Sequence, residues 1–132
     1  MKMLIVEDDF VSRKVLQKLL GHYGECDIAV NGEEAIQAFK LSLESDSTYD
    51  LICMDIMMPG IDGQQALQKI RDMERAKGIA ETEWVKVIMT TALDDPRNVV
   101  ESLYKGAAAS YVVKPIDKAK LLEEVRKLGL LD

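Results

Sequence analysis

Short apolar segments alternate along the chain with longer segments in which apolar residues recur every three or four positions. The short segments are predicted to be strands: KMLIV (2–6), DIAV (27–30), DLICMD (50–55), VKVIMT (85–90) and ASYVV (109–113). Four of the five are almost unbroken apolar runs, which is typical of strands that are covered on both faces.

The longer segments have the periodicity of amphipathic helices. They are FVSRKVLQKLLGHYG (10–24), NGEEAIQAFKLSL (31–43), DGQQALQKIRDMERAKG (62–78), DDPRNVVESLYKG (94–106) and DKAKLLEEVRKLG (117–129). Asn31 and Asp117 stand where helix caps are expected, because their side chains can accept hydrogen bonds from the first turn.

A strand followed by a helix, five times, predicts a doubly wound α/β fold in which a five-stranded parallel sheet carries helices on both faces. The polar stretch 42–50 is predicted to be a loop, and the stretch 74–84 is predicted to be a helix end followed by a longer loop. No linker rich in proline, glycine or serine divides the chain. We therefore expect one domain over residues 1–132 and no output module after Asp132.

Composition excludes several classes of function. The net charge of −6 argues against nucleic acid as a direct partner, because phosphate binding needs a basic surface. No apolar run approaches the roughly 18 residues of a membrane span, and the N-terminal run is too short for a signal peptide, so we expect a cytoplasmic protein. The two cysteines, Cys26 and Cys53, are predicted to be reduced and buried, and with a single histidine they form no zinc site.

Polar residues gather where the predicted strands end. Residues 7–9 (Glu-Asp-Asp) follow the first strand, Asp55 ends the third, residues 90–91 (Thr-Thr) end the fourth, and residues 114–115 (Lys-Pro) follow the fifth. In an open α/β sheet, ligands bind beyond the carboxyl ends of the strands. The pattern therefore predicts a site of carboxylates, a hydroxyl and an amine at that edge.

These residue types suit phosphoryl transfer. Clustered carboxylates repel one another unless a cation neutralises them, and carboxylate and carbonyl oxygens are ligands that Mg²⁺ prefers. A metal ion and a lysine together would neutralise a phosphoryl group during transfer. Asp55, at the end of a buried strand, would be the nucleophile that accepts the group.

Four motifs in this order resemble the receiver domains of two-component response regulators, and those of the chemotaxis single-domain kind in particular. The motifs are VEDD after the first strand, DIMMPGIDG around Asp55, TTA after the fourth strand and KP after the fifth. The resemblance covers nearly the whole chain. It implies a flavodoxin-like fold with strand order 2-1-3-4-5 and five helices.

The resemblance also implies a function. The chain would be a stand-alone response regulator that accepts a phosphoryl group from a sensor histidine kinase or a histidine phosphotransfer protein, and that signals to a downstream protein target. It would not be an enzyme in the usual sense, because it would catalyse only its own phosphorylation and slow autodephosphorylation.

Each matching residue acquires an implied role. Asp55 would be the phosphoacceptor, Asp9 the direct metal ligand, Asp8 an acid that reaches the metal through water, and Met57 the donor of a backbone carbonyl to Mg²⁺. One of the two acids Asp8 and Asp9 is also expected to cap the first helix.

The remaining matches concern the switch. Thr91 and Lys114 would bond the phosphoryl group, and Tyr111 would turn inward when Thr91 moves, although a plain core tyrosine is the alternative. This movement would remodel the face made by the fourth predicted helix, the fifth strand and the last helix. The bond between Lys114 and Pro115 is commonly cis in this family.

Met57 and Leu93 stand two residues after Asp55 and Thr91, where they would flank the phosphoryl group. Both are apolar, so neither can orient an attacking water molecule. We therefore predict a long-lived acyl phosphate.

Three other classes are alternatives. A degenerate receiver that only binds partners usually lacks one of the acids or the lysine, whereas this chain has them all. A haloacid-dehalogenase-type phosphatase carries a second aspartate two residues after its nucleophile, where this chain has Met57. A flavodoxin needs a phosphate loop rich in hydroxyls and glycine after the first strand, where residues 7–9 would repel phosphate.

Overall fold

A computed structural model describes residues 1–92 and 110–131. The elements are β1 (Lys2–Val6), α1 (Phe10–Leu20), β2 (Glu25–Ala29), α2 (Gly32–Glu44), β3 (Leu51–Asp55), α3 (Gly63–Ala76), a 3₁₀ turn (Glu81–Glu83), β4 (Lys86–Thr91), β5 (Ser110–Val113) and α4 (Lys118–Lys127). The helix predicted over 94–106 and the predicted flanking residue Leu93 lie outside the described residues.

The strands of the described chain form one parallel sheet in the order β2-β1-β3-β4-β5. This confirms the predicted doubly wound, flavodoxin-like fold. The strand order reverses at β1 and β3, which are neighbours: Met3 to Val6 pair with Leu51 to Met54. The connections from these two strands leave in opposite directions, so a crevice opens beyond their carboxyl ends.

Each face of the sheet is covered by its own apolar core. Alternate residues of a strand point to opposite faces, so an unbroken apolar run supplies both cores at once. The first core lies against α2 and α3, and its buried residues include Leu4, Val6, Phe39, Ile52, Met54 and Ile70. The second lies against α1 and α4, and its buried residues include Met3, Ile5, Leu16, Cys53, Leu121 and Val125.

Side-chain caps fix the starts of the helices. Asn31 Oδ1 accepts a hydrogen bond from Glu34 N at 2.8 Å, and Asp117 Oδ1 accepts one from Ala119 N at 3.3 Å, as predicted. The structure places the end of α2 at Glu44, within the polar stretch that was predicted to be a loop.

Two further predictions can be compared with the structure. Cys26 and Cys53 are both free, and Cys53 is buried while Cys26 is partly exposed. Among the described residues, no helix has the length and apolar character needed to cross a bilayer.

Candidate functional site

Carboxylates from two neighbouring strands meet at the carboxyl edge of the sheet. Among the described residues, Glu7, Asp8 and Asp55 each offer one oxygen within 4.8 Å of the other two. Glu7 is 0 % exposed and Asp55 is 6 % exposed, whereas Asp8 faces solvent. Because three carboxylates this close repel one another, the site favours a cation.

Lys114, which follows β5, joins this group at the same carboxyl edge of the sheet. Its Nζ lies 2.6 Å from Glu7 Oε1 and 3.1 Å from Asp55 Oδ2. The backbone of Lys114 is held at the end of β4, because its N–H donates to Thr91 O at 2.7 Å. The following bond to Pro115 is cis, as expected. The predicted meeting of Asp55 and Lys114 is therefore present in the structure.

Burial and charge shift the pKa values of this group. Burial raises the pKa of Glu7 to about 7, with the charge of Asp55 acting in the same direction and the hydrogen bond with Lys114 opposing it. Burial lowers the pKa of Lys114, but the hydrogen bond to Glu7 and the charge of Asp55 outweigh it, so that pKa is raised overall. The pKa of Glu7 is therefore raised towards neutral pH.

Asp9 lies outside this acidic group. Its Oδ2 accepts a hydrogen bond from Ser12 N at 2.8 Å, which makes Asp9 the cap of α1 and lowers its pKa. The expectation that one of the two aspartates caps the first helix is met by Asp9. The role predicted for Asp9 as direct metal ligand has no support in this geometry, which instead brings together Glu7, a residue the prediction left out, with Asp8 and Asp55.

The loop after β3 is anchored to the strand end. Gly63 N donates to Ile56 O at 2.7 Å, and a Cβ atom at Gly63 would lie 2.3 Å from Asp55 O, so only glycine fits this approach. Met57 N donates to Asp55 Oδ1 at 3.2 Å. The backbone of Met57 therefore lies beside the predicted acceptor, while its side chain is 60 % exposed.

The two predicted switch residues lie in β4 and β5. Thr91 is buried, and its Oγ1 donates to Ala92 O at 3.3 Å. Tyr111 is 42 % exposed, which argues against the alternative of a plain core tyrosine. The movements of Thr91 and Tyr111 stay predictions.

The fold and the site together define an α/β domain with an acidic, lysine-paired pocket at its switch point. The chain belongs to the response regulator receiver domain family, whose sequence profile matches residues 3–126. Receiver domains are phosphoryl-accepting signalling modules of two-component systems and are not enzymes in the usual sense.

Several relatives resemble the chain over most of its length. It is 34 % identical over 126 residues to chemotaxis protein CheY of Treponema pallidum (strain Nichols), a match that covers 94 % of this chain and 79 % of that protein. A chain of the CheX-CheY-BeF3-Mg²⁺ complex from Borrelia burgdorferi is 33 % identical, with a TM-score of 0.79 and coverage of 98 % of this chain and 89 % of that one.

A third similarity involves a phosphotransfer complex. A chain of the co-crystal structure of the Saccharomyces cerevisiae histidine phosphotransfer signaling protein Ypd1 and the receiver domain of Ssk1 is 27 % identical, with a TM-score of 0.81 and coverage of 98 % of this chain and 88 % of that one. Other curated relatives are much longer, and the chain spans between 7 % and 45 % of their length.

Homologous receiver structures contain Mg²⁺. The acidic group of this chain fits the same ion, because it offers several hard oxygen ligands and two of them belong to the buried carboxylates of Glu7 and Asp55, which need counter-charge.

Proposed function

We propose that the chain accepts a phosphoryl group on Asp55 from a phosphohistidine in a Mg²⁺-dependent reaction. The proposal depends on one observation: Asp55 lies both in the acidic group with Glu7 and Asp8 and 3.1 Å from the Lys114 ammonium. A carboxylate flanked by a metal site and a fixed cation is suited to take up a transferred phosphoryl group. Membership of the receiver family supports the same chemistry.

Glu7, Asp8 and Asp55 would hold the ion, with the backbone carbonyl of Met57 as a further ligand. Bound Mg²⁺ would neutralise the negative charge that develops on the phosphoryl oxygens. An oxygen of Asp55 attacks phosphorus, the bond from phosphorus to the donor imidazole breaks, and the imidazole leaves. Lys114 then bonds an oxygen of the acquired group.

Phosphorylation would switch the surface near β5. The group adds roughly −1.5 to −2 charges, and we propose that Thr91 and Lys114 bond its oxygens. Tyr111, whose side chain is partly exposed, would turn inward as Thr91 moves. This movement would remodel, for a partner protein, the face made by the helix predicted over 94–106, β5 and the last helix, α4. Moving from about 1 % to about 99 % active needs about 5.5 kcal/mol of preference for the active state.

We propose α1 as the surface that receives the donor protein. Phe10, Val11 and Val15 are large apolar side chains exposed on this helix, which begins directly after the acidic group. Exposed apolar clusters mark interaction surfaces, and a partner seated here would bring a histidine close to Asp55. The likeness to the Ypd1–Ssk1 co-crystal supports a histidine phosphotransfer protein or a sensor kinase as this partner. A cytoplasmic location stays a prediction.

Phosphorylation by a small donor tests the proposal. The chain is incubated with acetyl phosphate and Mg²⁺, and intact mass spectrometry follows the addition of one phosphoryl group. We expect the wild type to be labelled and Asp55→Asn to stay unlabelled. Asp72→Asn, which removes an exposed carboxylate on α3, is the matched control and should be labelled like the wild type. An unlabelled wild type would favour the degenerate, binding-only receiver.

A further inference from the structure

Met57 differs from the other methionines in its exposure. The chain has seven methionines, and all of them lie in the described ranges. Met57 is 60 % exposed, whereas Met3, Met54 and Met89 are 0 % exposed, Met58 is 8 % exposed, and Met1 and Met73 pack partly against the two cores. An oxidant in solution therefore reaches the sulfur of Met57 most readily.

The backbone that carries this exposed thioether is also fixed beside the predicted phosphoacceptor. Met57 N donates to Asp55 Oδ1 at 3.2 Å, and the loop that carries it is closed by the hydrogen bond from Gly63 N to Ile56 O at 2.7 Å. A chemical change at this sulfur would therefore alter the polarity of the surroundings of Asp55.

The cysteines compete poorly for the same oxidant. Burial raises the pKa of Cys53 to about 12, and burial also raises the pKa of Cys26. Peroxide reacts with the thiolate, which is scarce at neutral pH when the pKa is high.

We propose that Met57 is an oxidation site through which hydrogen peroxide shortens the lifetime of the phosphoryl group on Asp55, an inference that rests on the proposed function. The sulfur attacks one peroxide oxygen, an S–O bond forms and the O–O bond breaks, and water leaves. The sulfur is oxidised by two electrons while the peroxide is reduced. Methionine sulfoxide reductases reverse the change at the expense of thiols.

The sulfoxide changes the chemistry of the site. A thioether is a weak acceptor of hydrogen bonds, whereas the sulfoxide oxygen is a strongly polar acceptor. That oxygen can hold a water molecule for attack on phosphorus, which an apolar side chain cannot do. One such hydrogen bond in the transition state corresponds to loss of the phosphoryl group that is about three to ten times faster.

Peptide mapping tests the first half of the proposal. The full chain is treated with limiting hydrogen peroxide and then with dithiothreitol, which reverses cysteine sulfenates and disulfides but leaves sulfoxides. We expect Met57 to gain one oxygen before Met1 and Met73. Oxidation of Met57 that is no faster than at these two partly buried methionines would overturn the proposal.

Phosphoryl lifetimes test the second half. The wild type, Met57→Leu and Met73→Leu are each labelled with acetyl phosphate, with and without prior peroxide treatment. Peroxide should shorten the lifetime in the wild type and in Met73→Leu but should leave that of Met57→Leu unchanged. Equal shortening in Met57→Leu, or no shortening in a wild type oxidised at Met57, would overturn it. Absence of labelling throughout would overturn the proposed function, and the peptide map, which needs no phosphoryl group, would distinguish that failure from failure of the oxidation site.

Discussion

Magnesium binding should expel a proton from Glu7 near neutral pH. The carboxyl group is fully buried, and burial raises its pKa from an ordinary 4.5 to about 7 despite the hydrogen bond with Lys114. A metal ion binds the ionised carboxylate, so the proton must leave when the ion enters. The apparent affinity for Mg²⁺ should therefore rise with pH.

The magnitude follows from competition between the proton and the ion. The apparent dissociation constant is multiplied by one plus the ratio of the proton concentration to the acid dissociation constant of Glu7. For a pKa of about 7, this factor is roughly eleven at about pH 6 and close to one at about pH 8. Affinity should thus increase about tenfold over this range, or by about 1.4 kcal/mol.

The raised pKa of Glu7 also makes the free energy of unfolding depend on pH when no metal is added. The folded state binds the proton more tightly than the unfolded chain, so this contribution to stability is fully present below about pH 4.5 and is lost as the pH rises through about 7. The loss is of the order of 3 kcal/mol in the free energy of unfolding, from a shift of about two and a half units. Added Mg²⁺ should offset it at the alkaline end, because the ion binds the folded state.

Isothermal titration calorimetry with Mg²⁺ measures both the affinity for the ion and the number of protons that its binding releases. Titrations in two buffers of different ionisation enthalpy count the protons released, and we expect close to one near pH 6 and almost none near pH 8. Glu7→Gln should bind the ion more weakly, with no dependence on pH across this range. Asp9→Asn is the matched control and should keep the wild-type dependence. If Mg²⁺ affinity in the wild type did not change with pH, or if Asp9→Asn abolished binding while Glu7→Gln did not, the reasoning about Glu7 would be refuted.

Three further predictions concern the neighbourhood of the site and the core. Gly63→Ala should lower the free energy of unfolding by about 1–3 kcal/mol in urea titrations, because the new Cβ would meet Asp55 O at 2.3 Å. Glu74→Ala should lower it by about 3–5 kcal/mol, because it removes the carboxylate 2.6 Å from the buried Arg71 guanidinium; a loss below 1 kcal/mol would contradict this. Met57→Asn should speed the loss of the phosphoryl group about three to ten times, as measured by the decay of labelled protein, because an amide can orient water; an unchanged decay would contradict the predicted long lifetime.

The sequence predicted the central strand β1 better than β2, which is one of the two edge strands. β1 was predicted with the bounds it has, and its four buried residues, Met3 to Val6, make its apolar run unmistakable. β2 begins at Glu25, two residues before the predicted start. It lies at the edge of the sheet and most of its residues are partly exposed, so hydrophobicity does not mark where it begins.

The meeting of Asp55 with Lys114 could be predicted because both residues follow strands of one parallel sheet. It could not be predicted as securely which of the three consecutive acids at positions 7–9 would join Asp55 in the acidic group. Glu7 N donates to Ala29 O at 3.0 Å, which continues the pairing of β1 with β2 by one residue and turns the Glu7 side chain into the protein. One clue was present in the sequence, because Asp9 directly precedes the first helical residue, and that is the position of a cap.

The placement of Glu7 gives a physical reason for the expected dependence on Mg²⁺. In the structure a single ammonium, that of Lys114, contacts both Glu7 and Asp55, and the contact with Glu7 is the shorter, at 2.6 Å against 3.1 Å. When Lys114 turns to the oxygens of a phosphoryl group on Asp55, it gives up part of its contact with Glu7. A buried carboxylate that loses its counter-charge must take up a proton or bind another cation, and uptake of a proton becomes harder as the pH rises. At alkaline pH, therefore, phosphorylation without the metal would leave Glu7 charged and poorly compensated inside the protein, and the requirement for Mg²⁺ should become stricter as the pH rises.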